Sequence, residues 1–355
     1  MAKPFVAVLV SGHEYLRHGI DWAKPSLSRE RFLARKSALR PLYVMTIDVS
    51  RGSVREAKFG LKTEANKPET KEHKLKEPYT DKNYELVELK PDRYTYVFNK
   101  GFSKVLSVLD VYKAALSTAD SQGPIIEFSI FSHAEFSGPV LANTFAYQRV
   151  EKRGSQYVLV PAPVPEGDYR DPDDLDPRKI DFTDKNQAAT NIERWKKAFA
   201  RGGYSRLWGC QRWDAILTLM RRVKEGTPRV SSSTSDDATI KLHLRDYEYS
   251  VISGLYSELV HKAKQSNVYE MKFGLFKALM NVVLSNTYAQ KLADISGAPV
   301  YAAAPGTYAD FLRNGQDMYV HESTSDIVPS YESWLKMKPD PESHGYIGYT
   351  PSDHT

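Results

Sequence analysis

Pro124-Ile125-Ile126-Glu127-Phe128-Ser129-Ile130-Phe131 is a run of strand-forming residues that ends on the polar pair Ser132-His133. A short apolar run bounded by polar residues reads as a strand buried on both faces. The same grammar returns at Ser205-Arg206-Leu207-Trp208, which passes through Gly209 into Cys210. A helix is predicted immediately afterwards, over 213–223, because its apolar residues recur at three- and four-residue spacing. Two strands thus each deliver a chemically competent side chain at their carboxyl ends, a His and a Cys.

Working outward, further strands are predicted over 5–10, 42–49, 300–303 and 318–321, and further helices over 102–116, 188–200, 247–263 and 269–295. Ser103 is the expected cap of the first of these helices, and Gly202-Gly203 the expected stop before the Cys210 strand. Alternation of strands and helices predicts an α/β fold: a mostly parallel sheet with helices on both faces, plus a mainly helical C-terminal segment. The expected organisation is an α/β core over 1–226, with surface insertions near 58–92 and 161–185. A helical segment over 227–355 then returns a last strand, about 299–304, to the same sheet. The Ser/Thr/Asp-rich stretch at 227–237 marks the boundary, and the whole also reads as one single domain.

Functional groups of parallel sheets gather at the carboxyl ends of strands. Here those ends carry Ser11-Gly12-His13-Glu14, Asp48 to Arg51, Ser132-His133-Ala134-Glu135, Gly209-Cys210-Gln211-Arg212 and Ala304-Pro305-Gly306-Thr307. Cys210 is the only cysteine in 355 residues, which excludes an intramolecular disulfide and a cysteine-based zinc cluster. The expected chemistry has the Cys210 thiolate favoured by the following helix dipole and by His133, which also acts as general base and acid. Backbone N–H groups near Gly209, or in the loop after His133, would hold an oxyanion. Glu135, or Glu127 inside its strand, is the expected partner of the imidazole. His13, Gly306 and Thr307 are candidate crevice residues. For each, a purely structural role stands beside the functional one, and for a lone cysteine that role is burial in the core.

The formal net charge of +5 is mild, and carboxylates interrupt the basic clusters, including the one from Arg29 to Arg40. These read as solvated helix faces, so neither a nucleic acid nor a membrane is an expected partner. P-loop, dinucleotide-binding, zincin and GxSxG signatures are absent from the sequence. A protein or peptide substrate and a cytoplasmic location, or export without a cleaved signal, are the expectations.

A strand ending in His followed by a strand ending in Cys resembles the caspase-like cysteine peptidases, a group that includes metacaspases, legumains and gingipains. The likeness runs from about 42 to 223, with the strand near 300. It implies peptide hydrolysis beside a specific side-chain pocket, with His133 as catalytic His and Cys210 as nucleophile. Ala134 stands where the family usually has Gly, and Trp208-Gly209-Cys210-Gln211-Arg212 stands in place of Gln-Ala-Cys-x-Gly. For the acidic run at 171–176, with Asp173 and Asp174, three readings stay open: a pocket for Lys or Arg as the resemblance implies, a Ca²⁺ site, or a solvated loop. No other cofactor is expected. The alternatives for the whole chain are a non-catalytic scaffold or interaction protein, or another thiol acyl-transfer or deamidase activity.

Overall fold

The computed structural model describes residues 3–14, 20–36, 41–60, 68–78, 84–90, 93–98, 106–135, 138–143, 148–154, 156–161, 189–226, 230–243, 268–312 and 317–352. Nine strands form the main sheet: β1 (Phe5–Ser11), β2 (Leu42–Asp48), β3 (Ser53–Phe59), β4 (Glu69–Lys74), β5 (Ile125–Phe131), β6 (Phe199–Leu207), β7 (Val300–Ala302), β8 (Lys338–Pro339) and β9 (Ile347–Tyr349). Their order is β8-β9-β7-β6-β5-β1-β2-β3-β4. The five central strands, β7 to β2, run parallel, and the outer two at each edge are antiparallel to their neighbours. The fold is therefore α/β with a mixed sheet whose centre is parallel.

Burial explains this arrangement. Val6 to Val10 are all 0% exposed, the signature of a central strand covered on both faces. At the edge, every residue of β4 is exposed, and its sequence Glu-Thr-Lys-Glu-His-Lys is charged to match.

Helix α1 (Ala23–Lys36) packs on β1, β2 and β5 from one face. On the other face lie α2 (Val108–Ser121), α3 (Ala189–Ala198) and, later in the chain, α6 (Tyr288–Ser296). Between α3 and α6 come α4 (Asp214–Gly226) and α5 (Phe273–Ser285). Trp195 of α3 meets Phe128 of β5 edge-on at 5.4 Å, anchoring that second layer. A separate four-stranded antiparallel sheet joins Tyr84–Lys90, Arg93–Phe98, Gln148–Arg153 and Gln156–Pro161.

Several local expectations are corrected. The cap of α2 is Ser107, whose hydroxyl accepts from Asp110 N–H while the Asp110 carboxylate accepts from the Ser107 N–H; Ser103 lies outside the described residues. Gly202 and Gly203 sit inside β6, at an irregularity in its pairing with β5, and do not stop the chain before it. A Cβ on Gly203 would come within 2.5 Å of the Ile125 carbonyl, so the bulge requires glycine there.

The helix expected over 269–295 is a strand, Val268–Lys272, followed by α5 and α6, because Thr287 caps a new helix through its hydroxyl and Gln290 N–H. The insertion near 58–92 supplies the edge strand β4 and the Tyr84–Lys90 strand of the second sheet. Met318–Val320 pairs only with Ala309–Phe311, forming a hairpin outside the main sheet. The helix expected over 247–263 lies outside the described residues.

Candidate functional site

Parallel strands β5 and β6 are in register from Tyr204 opposite Glu127 to Leu207 opposite Ile130. The ladder continues with Trp208 N–H donating to Ile130 O at 2.9 Å. Counting on, Trp208, Gly209 and Cys210 fall level with Phe131, Ser132 and His133. Two contacts support that count. Phe131 and Trp208 stack with ring centroids 5.3 Å apart, and a Cβ placed on Gly209 would stand 2.7 Å from the Ser132 carbonyl oxygen and 2.4 Å from Ala134 Cβ. Only glycine lets the two loops approach this closely. Side-chain alternation puts Glu127, Ser129 and Phe131 on the face shared by Tyr204, Arg206 and Trp208. His133 and Cys210 follow with the same parity.

The space over this pair is closed by Trp22 and by the Ala309–Phe311 hairpin strand. Trp22 meets the His133 ring edge-on at 5.1 Å and Phe311 at 5.3 Å. Ala309 N–H donates to Cys210 Sγ at 3.2 Å, and the Ala309 carbonyl lies 3.6 Å from the same sulfur. Cys210 keeps part of its residue surface exposed, but its sulfur sits in low-dielectric surroundings, and burial pushes the thiol pKa up. The Ala309 N–H and the Arg212 charge oppose that shift without cancelling it. The resting thiol is therefore protonated. Burial thus works against the thiolate expected in the free protein, and α4 begins at Asp214, beyond the thiol.

The backbone around the thiol is held from three directions. Gly306 N–H donates to Gln211 O at 2.8 Å, and Gln211 N–H to Thr307 O at 3.0 Å. Gly306 adopts φ +89°, and a Cβ there would reach 2.7 Å from Leu217 N. The Thr307 hydroxyl donates to Ala304 O at 2.7 Å and is fully buried, so this Gly-Thr turn fixes the loop. Just before β9, Tyr346 Oη donates to Trp208 O at 3.0 Å, and at its end Tyr349 Oη lies 3.1 Å from Gln211 Oε1.

His13 and Glu135 lie on backbone adjoining the His133 loop. His13 N–H donates to Leu141 O at 2.7 Å, and His13 pairs with Ala142 in a short parallel bridge. Glu135 faces Gly138 in the hairpin that follows His133. Asp173 and Asp174, with the rest of the acidic run, lie outside the described residues. Glu127 does not reach the imidazole: it is held by Arg29 Nε and Nη2 at 2.7 Å each, by Ser129 Oγ at 2.6 Å and by Tyr204 Oη at 2.7 Å.

That engagement reveals a cluster which sequence reasoning missed. Arg29 also donates to Glu342, with Nη1 2.5 Å from Oε2. Arg206, 1% exposed, donates to Asp340 at 2.8 Å and lies 3.2 Å from Glu342. His344 Nδ1 lies 3.3 Å from Asp340 Oδ2. Burial alone would push the Asp340 and Glu342 carboxyls up, but His344 and Arg206 on the first, and Arg29 and Arg206 on the second, hold both below the usual range. The sequence did carry a signal: Glu127 and Arg206 are the single charges of the runs at 124–131 and 205–208, and buried charges need partners.

Among the described residues no group of three or more His, Cys, Asp or Glu side chains could hold a metal ion, and no helix is long and apolar enough to cross a membrane. No protein-family model, no curated protein and no solved structure matches this chain.

Proposed function

We propose that the protein is a cysteine hydrolase acting on peptide bonds, with Cys210 as nucleophile and His133 as general base and acid. One observation carries the reading: the β5–β6 register, continued past Trp208, brings positions 133 and 210 level at the carboxyl edge of the parallel sheet. The resemblance to caspase-like peptidases, in which the two residues follow consecutive parallel strands, agrees with it.

In this mechanism, substrate entry displaces the Ala309 backbone from Sγ. His133 takes the thiol proton as sulfur attacks the scissile carbonyl, forming the C–S bond. Backbone N–H groups beside Gly209 stabilise the oxyanion. Collapse breaks the C–N bond, and the imidazolium returns its proton to the leaving amine. Water, deprotonated by His133, then hydrolyses the thioester and frees the thiol. The test is a peptide library incubated with the wild type and with Cys210→Ala. New amino termini released by the wild type alone support the reading. Ammonia without cleavage selects a deamidase instead, and no turnover by either protein overturns the enzyme.

The enclosed, protonated thiol favours a second reading, a non-catalytic scaffold in which Cys210 fills space under the hairpin. Iodoacetamide separates the two. Alkylation of the native protein, slowed by His133→Ala, supports the enzyme, whereas labelling that needs denaturation supports the scaffold.

A further inference from the structure

Two residues upstream of the thiol and the imidazole, Trp208 and Phe131 floor a cleft of about 550 Å³ between α1 and the C-terminal segment. Its deep cation is already neutralised, since each of the three guanidinium nitrogens of Arg29 donates to Glu127, Glu342 or Tyr204. A single carboxylate pushed to the floor would find no unengaged guanidinium there.

The rim is different. Arg31, Arg35 and Lys36, from the last turns of α1, are exposed and border the cleft. Among the described residues Arg31 and Arg35 have no carboxylate within the 4.0 Å of an ion pair, and Lys36 shares Glu342 at 3.6 Å with Arg29. The carboxylates on the lining are Glu342, so engaged, and Asp317, which accepts from Ser28 at 3.1 Å. Positive charge is therefore uncompensated along the mouth and balanced in the depth. Arg31 and Arg35 are four residues apart on a helix and project side by side.

We infer that this cleft binds an acidic segment of a polypeptide substrate, its carboxylates lying along the Arg31, Arg35 and Lys36 rim, over a floor two residues down the strands from the thiol. The inference names the substrate class of the site proposed above and rests on that reading. A polypeptide fits better than a nucleic acid because the floor aromatics, at 2% and 3% exposure, offer no open face for base stacking.

Binding is measured on the non-cleaving Cys210→Ala protein, by fluorescence anisotropy of a labelled Asp/Glu-rich peptide against its Ser/Gly and Lys-rich counterparts. The acidic peptide should bind about tenfold tighter at low salt, an advantage shrinking as salt rises, since exposed ion pairs each contribute little and are screened. In the R31E/R35E background the preference should vanish, and in R31K/R35K it should persist, which separates charge from misfolding. Equal binding of neutral and acidic peptides, or indifference to R31E/R35E, overturns the inference. So does an oligonucleotide that binds tighter than the acidic peptide through the same arginines. If the wild type binds acidic peptides and cleaves none, the cleft stands and the peptidase falls. If it cleaves acidic and neutral peptides alike, the peptidase stands and the cleft reading falls.

Discussion

Two layers of one sheet face, a few residues apart along β5 and β6, treat polar chemistry in opposite ways. Lower down, Glu127, Arg29, Arg206 and Asp340 are buried, with Glu342 half-buried among them, and each charge has an opposite charge within ion-pair distance. At the edge above them, the Cys210 thiol is hydrogen-bonded to the Ala309 backbone, and Gly209 before it lies against the His133 loop. Charges brought into a low-dielectric interior are tolerable only when they are matched and hydrogen-bonded, and removing one partner exposes the full desolvation cost of the other. A neutral thiol carries no such cost. The lower layer thus sets the geometry, while the thiol above it can be removed with little loss of fold.

The sharpest way to break this contrast is Glu127→Ala, which strips Arg29 of its bidentate partner and leaves Ser129 and Tyr204 without an acceptor. Unfolding in urea should show a loss of about 3–5 kcal/mol, and a loss under about 1 kcal/mol would mean that the cluster does not anchor the sheet. Gly209→Ala comes next. Its Cβ meets backbone and Ala134 at less than 3.0 Å, so the strand ends must separate. The expected cost is about 1–3 kcal/mol, with peptide cleavage lost as well; an unchanged melting temperature contradicts the close approach of the two loops.

Acid provides a graded probe of the same layer. The Asp340 and Glu342 carboxyls lie below their unfolded values in the folded protein, so their contribution is complete above the ordinary carboxylate range and lost as pH falls through the folded values. Stability should therefore decline below about pH 4, and more steeply in the wild type than in Asp340→Asn; parallel declines count against this account. The smallest effect is expected at the thiol itself. Cys210→Ala should change stability by about 1 kcal/mol or less while abolishing cleavage, and a much larger loss would make the sulfur a core group after all.

The centre of the sheet was legible because β1, β2 and β5 are short, largely apolar runs bounded by polar residues, the pattern of strands buried on both faces. The edges were not. Strand β9 is three residues in a Gly- and Tyr-rich stretch, too short for any periodicity, and it is defined by Tyr346 and Tyr349 reaching the Cys210 loop. Helix α1 was hidden for the opposite reason. It buries Pro25, Ser26, Arg29, Glu30 and Leu33, so its inward stripe is half polar and reads as a solvated face until Glu127 and Arg55 are seen against it. In the site, the strand ends carrying His133 and Cys210 could be read from sequence. The enclosure of the sulfur could not, because Ala309 lies 99 residues further along the chain and contributes only backbone.

Arg29 and Glu342 are separated by 313 positions, and the two tyrosines that fix the Cys210 loop come later still in the chain. Most of the sheet must therefore be synthesised with its central arginines short of partners. Contacts of such long sequence separation form late and slow folding. The thiol edge is then expected to acquire its shape when β9 docks. Pulse proteolysis during refolding should find the Trp208–Gln211 loop protected in the same kinetic phase as residues 340–349, and earlier protection of that loop would refute this order of assembly.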